Sequence, residues 1–158
     1  MIIMAKNMET GVELIDEQHR ELIGRINNVT KMGTKSASEE ETERTIDLLG
    51  EYIIKHFTDE ETLQQLCHYP KYKWHKGLHH YYIKEFQKLK NEFDANGPSV
   101  RFTLDLHNSI INWIVRHIKS VDAEFGEYYR KQIAESSKQV SRHQALNEER
   151  KVALTAVT

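Results

Sequence analysis

Cysteine, proline and glycine are scarce in this chain of 158 residues, which contains one, two and seven of them. The single cysteine, Cys67, excludes an internal disulfide and a zinc or iron–sulfur site built on cysteines, and it is typical of a reducing compartment. So few prolines and glycines leave long segments without a helix breaker. The composition and length therefore favour one all-α domain.

Charge of one sign and long apolar runs are also lacking. The formal net charge is −2 at pH 7, which gives no reason to expect nucleic acid or an anionic membrane as a partner. No run of about 18 apolar residues is available to cross a bilayer, and the N-terminal stretch is too poor in apolar residues for a signal peptide. We therefore expect a cytoplasmic protein that binds neither nucleic acid nor a membrane.

What the chain does contain is four stretches in which apolar side chains recur every three or four residues. This spacing is typical of helices that face the interior of a bundle. Loop or turn signals separate the stretches at residues 33–38, Tyr69–Pro70 and residues 96–99, and Ser38 with Glu41 forms a capping box for the second helix. Since proline is tolerated in the first turn of a helix but not inside one, the second and third helices should fold back antiparallel at their break.

Histidines and a glutamate interrupt these apolar seams. The inward positions, in chain order, are Ile15, His19, Leu22, Ile26 and Val29; Ile46, Leu49, Ile53, His56, Glu60, Leu63 and Cys67; Tyr72, His75, His79, Tyr82, Phe86, Leu89 and Phe93; and Leu106, Ile110, Trp113, His117 and Ser120. A lone buried histidine is most often a hydrogen-bonded core residue, but several on separate helices would be costly to desolvate without a gain. The set therefore indicates a metal site. Asp122 follows nearby, but it lies roughly 140° around an ideal helix from His117, so spacing alone does not pair the two.

The ligand chemistry narrows the metal. Five imidazoles and two carboxylates, without a thiolate, suit iron, manganese, zinc or copper. Seven protein ligands are too many for one ion. If two six-coordinate ions share both carboxylates and one bridging oxygen, one position stays open, and a small ligand such as O₂ could bind there.

The sequence resembles the hemerythrins, specifically the bacterial single-domain type, over roughly residues 11–130. The motifs that carry the resemblance are Ile15-Asp16-x-Gln18-His19, His56-Phe57-x-x-Glu60, Tyr69-Pro70, His75-x-x-x-His79 and Trp113-x-x-x-His117-Ile118-x-x-x-Asp122. Each motif is weak alone, but their order and separations together are specific. The resemblance implies an antiparallel up-and-down four-helix bundle that holds two non-heme iron ions bridged by an oxo or hydroxo group.

The resemblance also implies a role for each ligand. Three histidines would bind one iron: His75, His79 and His117. Two histidines would bind the other iron, which keeps the open position for O₂: His19 and His56. Two carboxylates would bridge the irons: Glu60 and Asp122. Five apolar residues are candidates for the wall around the open position, although plain core packing explains each equally well: Leu22, Phe57, Trp113, Ile114 and Ile118.

The function that the resemblance implies is reversible O₂ binding by a carrier, store or delivery protein. An enzyme is not expected, although weak peroxidase or oxidase activity stays open. Two alternatives remain. One is an O₂ or redox sensor that signals through a C-terminal extension, and the other is a di-iron oxidase, peroxidase or nitric-oxide-handling protein.

Two features depart from the family pattern. The N-terminal arm, residues 1–11, lacks the tryptophan often found there. Residues 131–158 run past the usual end of the domain, residues 1–130, and we expect them to form a polar extension, helical or disordered, that is open to self-association or to a protein partner. The histidines outside the motifs should lie at the surface: His68, His80, His107 and His143.

Overall fold

The computed structural model describes residues 2–32 and 38–155. Its first three long helices are α1 (Glu13–Met32), α2 (Glu39–Leu66) and α3 (Tyr72–Asn96). A fourth helical segment continues without a break through α4 (Val100–Asp105), a π-helical stretch (Leu106–Ile111), α5 (Asn112–His117), a second π-helical stretch (Ile118–Asp122) and α6 (Ala123–Thr155). The predicted all-α fold is confirmed.

Serine caps form the starts of α2 and of the fourth segment. The Ser38 Oγ accepts a hydrogen bond from the Glu41 N–H at 3.1 Å, and the Ser99 Oγ accepts one from the Phe102 N–H at 3.0 Å. Helix α3 ends at Gly97, whose φ of 67° lies in the left-handed region that favours glycine. The remainder of the first predicted loop, residues 33–37, lies outside the described residues.

Contacts between consecutive helices run in opposite chain directions. A later residue of one helix meets an earlier residue of the next in the pairs Gln18–His56 and Arg25–Tyr52, Gln64–His75 and Gly50–Phe86, and Tyr82–Ile110 and Phe93–Phe102. The four helical segments therefore form the antiparallel up-and-down bundle that the resemblance implied.

One end of the bundle interior is apolar. It combines the C-terminal parts of α1 and α3 with the N-terminal parts of α2 and the fourth segment, and its buried side chains include Val29, Ile46, Leu49, Phe93 and Phe102. Burying each such side chain contributes about 1.5–3 kcal/mol. This end packs all four helical segments together through apolar contacts.

Some inward positions predicted from the spacing were wrong. Leu63 and Cys67 are only half-buried, and Gln64 is buried in their place because it lies four residues after Glu60 and continues its face. Ser120 is exposed, because the second π-helical stretch rotates the face that points inward.

The N-terminal arm is anchored against α1 and α6. It contains one 3₁₀ turn (Lys6–Met8), and the Thr10 N–H donates to the Asp16 Oδ1 at 2.6 Å. Gly126 lies so close to Thr10 that a Cβ at this position would collide with the Thr10 carbonyl oxygen. The Arg130 guanidinium donates to that same oxygen. The arm therefore links the start of α1 to the start of α6.

Helix α6 continues past these contacts. Residues 131–147 are exposed apart from the half-buried Gln132, and the apolar side chains Ile133, Val140 and Leu146 are more than half exposed. The helix passes through residue 130 without a break, so the predicted domain boundary there stays a prediction. Within the described residues, no helix combines the length and apolar character needed to span a membrane.

Candidate metal centre

Seven polar side chains meet inside the other end of the bundle. They come from all four helical segments: His19 on α1, His56 and Glu60 on α2, His75 and His79 on α3, and His117 and Asp122 on the fourth segment. Each is at most 3% exposed. These are the seven residues predicted from the sequence, and the structure brings all of them together. Their role as ligands stays a prediction.

Three of the histidines and both carboxylates form one group of potential ligands. The Nε2 atoms of His75 and His79 lie 3.1 and 3.2 Å from the Nε2 of His117. The Glu60 Oε2 lies 3.5 Å from the Nε2 of His75 and 3.3 Å from that of His79. Neighbouring ligands on one ion lie about 3 Å apart when each is about 2.1 Å from the ion. The spacing of this group therefore fits a single metal ion.

Asp122 joins that group to a second one. Its Oδ1 lies 3.2 Å from the Nε2 of His75 and 2.9 Å from the Nε2 of His117, whereas its Oδ2 lies 3.1 Å from the Nε2 of His19. The second group consists of His19, His56 and Asp122. Asp122 thus spans both groups, as a bridging carboxylate must. Glu60 falls in the first group only, so its predicted bridging role stays a prediction.

The second π-helical stretch explains how Asp122 reaches the site. In a π-helix the backbone hydrogen bond runs between residues five apart, so such residues lie nearly above one another. His117 and Asp122 are five apart and flank this turn, and both point inward. On a regular α-helix the two would have diverged by roughly 140°. A π-turn is not visible in the apolar periodicity, which is why spacing alone left Asp122 unpaired.

Unpartnered polar atoms at the centre of the site fit a metal. Within the described residues, both carboxylate oxygens of Glu60 and of Asp122, together with the Nε2 of His19 and of His56, are buried without a hydrogen-bond partner. Leaving such atoms unsatisfied is costly, and native proteins rarely do so without a reason. Imidazole nitrogens and carboxylate oxygens are ligands that first-row transition metals accept. The residues present therefore fit two metal ions.

The two groups differ in their electrostatics. Burial lowers the pKa of His75, but Asp122 and Glu60 beside it outweigh burial and raise that pKa to about 9. Burial and the neighbouring His19 instead lower the pKa of His56 to about 3. Burial and Asp122 raise the pKa of Glu60, yet the imidazoles of His75 and His79 beside it outweigh both and bring the pKa to about 2. At pH 7 the Glu60 carboxylate is therefore ionised and His56 is neutral, the forms in which these groups bind metals, whereas His75 carries a proton that a metal ion would replace.

Residues 10–129 match the family model described as the hemerythrin HHE cation binding domain. The chain belongs to the hemerythrin family. It is similar to the bacteriohemerythrin of Pseudomonas aeruginosa, with 28% identity over 142 residues that cover 89% of each chain. It is also similar to the myohemerythrin of Sipunculus nudus, with 26% identity over 72% of this chain and 81% of that one.

A solved structure supports the same assignment. The crystal structure of wild-type hemerythrin matches with a TM-score of 0.71 and 26% identity, and the match covers 82% of this chain and 97% of that chain. Membership of the hemerythrin family, together with the buried histidine–carboxylate cluster, indicates O₂ binding at a di-iron site.

Sequence reasoning missed the side chains that contact the outer nitrogens of the hemerythrin histidines. The His56 Nδ1 lies 3.0 Å from the Gln18 Oε1, the His75 Nδ1 lies 2.9 Å from the Gln64 amide, and the His79 Nδ1 lies 3.0 Å from the Glu61 Oε1. Two signals could have found two of them. Gln18 directly precedes the predicted ligand His19, and Gln64 follows Glu60 by four residues on the same helix face.

The five predicted wall residues divide into two sets. The Trp113 ring stacks on His117 with centroids 4.5 Å apart, and the Phe57 ring stacks on His79 at 3.8 Å. Both aromatics thus lie against the three-histidine group. The other three are fully buried in the apolar core: Leu22, Ile114 and Ile118. Which of them faces an O₂ ligand stays a prediction.

The four histidines expected at the surface are all exposed.

Proposed function

We propose that this chain binds O₂ reversibly at a di-iron centre and acts as an oxygen carrier, store or delivery protein. The observation that carries the proposal is the pair of fully buried ligand groups that share Asp122. In this proposal His75, His79 and His117 hold one iron, His19 and His56 hold the other, and Glu60 and Asp122 lie between them. Two iron ions held by these residues would supply the electrons that reversible O₂ binding requires.

The chain's own residues favour binding over turnover. Turnover of reduced oxygen needs a proton donor near the reacting atoms. Among the described residues, Asp16 is the only buried carboxylic acid besides Glu60 and Asp122, and its carboxylate already accepts from Thr10 and from the Gly11 N–H. The apolar side chains Leu22, Ile114 and Ile118 exclude water from the bundle interior. Both properties would limit the access of protons and water to the space between the two ligand groups.

The direct test is iron content, combined with the visible spectrum of the anaerobically reduced protein before and after air is admitted and then removed. We expect two irons per chain and near-ultraviolet and visible bands that appear in air and vanish when O₂ is removed. Immediate and irreversible oxidation would contradict reversible binding. Catalytic turnover with peroxide and a reductant, well above that of free iron, would favour an enzyme instead.

Two variants at one face of the site test the assignment. His117→Ala should lose iron at both positions, because the two ions share bridging ligands. Trp113→Phe should keep iron and alter the lifetime of the oxygenated form, because the ring stacks on His117 without offering a ligand atom. Retention of two irons with an unchanged spectrum in His117→Ala would show that the ligand assignment is wrong.

A second candidate function is an O₂ or redox sensor, and the projecting part of α6 favours it. Residues 131–147 are almost all exposed and carry the exposed apolar side chains Ile133, Val140 and Leu146. A sensor should change its self-association or partner binding between the reduced and oxygenated forms, measured by sedimentation velocity. Deleting residues 131–158 should abolish that change. Identical sedimentation of both forms would leave the carrier as the supported function.

A further inference from the structure

The outer nitrogens of His56 and His79 meet different acceptors in the two ligand groups. In the two-histidine group, the His56 Nδ1 lies 3.0 Å from a neutral amide oxygen, that of Gln18. In the three-histidine group, the His79 Nδ1 lies 3.0 Å from a carboxylate oxygen of Glu61, whose other oxygen contacts the Lys76 ammonium at 2.8 Å. Such outer contacts fix the orientation and tautomer of a metal-binding imidazole.

The orientation of the Gln18 amide is determined by a third residue. Its Nε2 donates to the Asp59 Oδ2 at 2.6 Å, and Asp59 also accepts from the Lys55 ammonium. A carboxylate accepts hydrogen bonds, so the nitrogen end of the amide must face Asp59 and the oxygen end must face His56. An amide oxygen accepts only, and the His56 Nδ1 must therefore carry the proton.

This tautomer leaves the His56 Nε2 with a free lone pair. That atom points into the site and is buried without a hydrogen-bond partner in the described residues. The Gln64 amide beside His75 lacks a comparable constraint, since its Oε1 has no hydrogen-bond partner there. The hydrogen bonds Asp59–Gln18–His56 thus run from the surface of the bundle inward, and they determine which His56 nitrogen is free to bind a metal. Asp59 is about one-third exposed, whereas Gln18 is 4% exposed.

We propose that Gln18, oriented by Asp59, is a positioning residue that holds His56 in the Nδ1–H tautomer and sets metal affinity chiefly at the two-histidine position. Glu61 serves the three-histidine position in the same way through His79. This inference rests on the proposed metal-binding function. It adds that each position can be weakened more than the other by a residue that touches neither ion.

The first test reads the tautomer in the metal-free full-length protein by ¹⁵N NMR of the histidine rings. Wild type should show His56 protonated at Nδ1. Asp59→Ala should lose that single tautomer because the Gln18 amide can then turn, whereas Asp59→Asn should keep it because an amide oxygen still accepts from Gln18. A wild-type His56 protonated at Nε2, or the same spectrum in Asp59→Ala and wild type, would overturn the proposal.

The second test titrates the metal-free full-length proteins with Co²⁺ and follows the two binding steps by absorbance. Gln18→Leu should weaken one step about 10- to 100-fold and leave the other within about threefold. Glu61→Ala should weaken the other step. Asp59→Ala should follow Gln18→Leu with a smaller loss, and Asp59→Asn should resemble wild type. Equal weakening of both steps in Gln18→Leu, or no weakening in either, would contradict the proposal.

The two tests distinguish a failure of this inference from a failure of the proposed function. If wild type bound fewer than two Co²⁺ ions, the di-metal function would fail, but the tautomer measurement would still decide the role of Gln18. Gln18 is buried, so its variant is checked for folding by circular dichroism. If Gln18→Leu does not fold, Asp59→Ala is compared with Asp59→Asn instead, because both substitutions are at a partly exposed position.

Discussion

The two ends of the bundle interior are built on the same helices with the same spacing, yet they contribute differently to stability. One end buries apolar side chains such as Ile46 and Phe93, and each contributes about 1.5–3 kcal/mol. The other buries five histidines and two carboxylates, several of whose atoms have no hydrogen-bond partner in the described residues. Burial of such groups costs stability unless a ligand satisfies them. The apolar end therefore stabilises the fold while the polar end is held in a form ready to bind metal.

The largest stability effect should come from the apolar end. Phe93→Ala should lower the free energy of unfolding by about 3–5 kcal/mol, because it removes a ring that is 1% exposed and packs against Phe102. Urea unfolding of the metal-free protein measures this. Val140→Ala, at an exposed position, is the matched control and should change stability by less than about 0.5 kcal/mol. A loss below about 1 kcal/mol for Phe93→Ala would show that this end does not carry the fold.

Apolar periodicity was sufficient to predict the apolar end and most of the polar one. Each helix face was marked by residues three or four apart, and the histidines were conspicuous because they occupied those positions. The fourth segment was harder. Its two π-helical stretches shift the inward face, so Ser120 was predicted inside and Asp122 could not be paired by spacing. Only the resemblance placed Asp122 among the ligands.

The contacts behind the predicted ligands did not follow from apolar spacing either. Gln18 and Asp59 act through a hydrogen-bond chain between two helices, and such a chain depends on the relative rotation of α1 and α2. Spacing within one helix carries no information on that rotation. Gln64 is buried one turn after Glu60, and this places its amide beside His75. The apolar spacing instead indicates Leu63 and Cys67 as the inward residues at this end of α2.

The polar end should give the metal-free protein a pH dependence that the apolar end cannot. The pKa of His75 is raised to about 9 in the folded protein, so its stabilising contribution is complete below about pH 6.5 and is lost as the pH rises toward 9. The pKa of His56 is lowered to about 3, so stability falls as the pH drops below about 6.5. Urea unfolding between pH 5 and 9 should therefore show a maximum near pH 6.5, with losses on the order of 1–3 kcal/mol on each side.

Single-residue controls separate the two sides of that maximum. His75→Gln should remove much of the alkaline loss and leave the acid side, whereas His56→Gln should reduce the acid loss and leave the alkaline side. A flat profile in wild type would mean that the buried groups do not titrate with folding. Two irons or two Co²⁺ ions should flatten the profile near neutral pH, because a bound ion replaces the proton on each imidazole.

A polar ligand should matter much less than Phe93 for the metal-free fold. Glu60→Leu removes a carboxylate whose two oxygens lack hydrogen-bond partners among the described residues, and His75 and His79 beside it can become neutral by losing protons. The free energy of unfolding should therefore change by no more than about 1 kcal/mol in either direction. Metal binding should be lost, as measured by Co²⁺ titration. A loss as large as that of Phe93→Ala would show that the polar end also carries the fold.

The smallest effect should come from the part of α6 that belongs to neither end. Deleting residues 131–158 removes a stretch whose residues 131–147 are almost all exposed, and it keeps Arg130, which anchors the Thr10 carbonyl. Unfolding free energy should change by less than about 0.5 kcal/mol and the metal content should be unchanged. Arg130→Ala is the matched control, and it should cost more than the whole deletion because it releases the N-terminal arm. If the deletion instead cost more than about 1 kcal/mol, the extension would pack on the bundle and the domain would continue past residue 130.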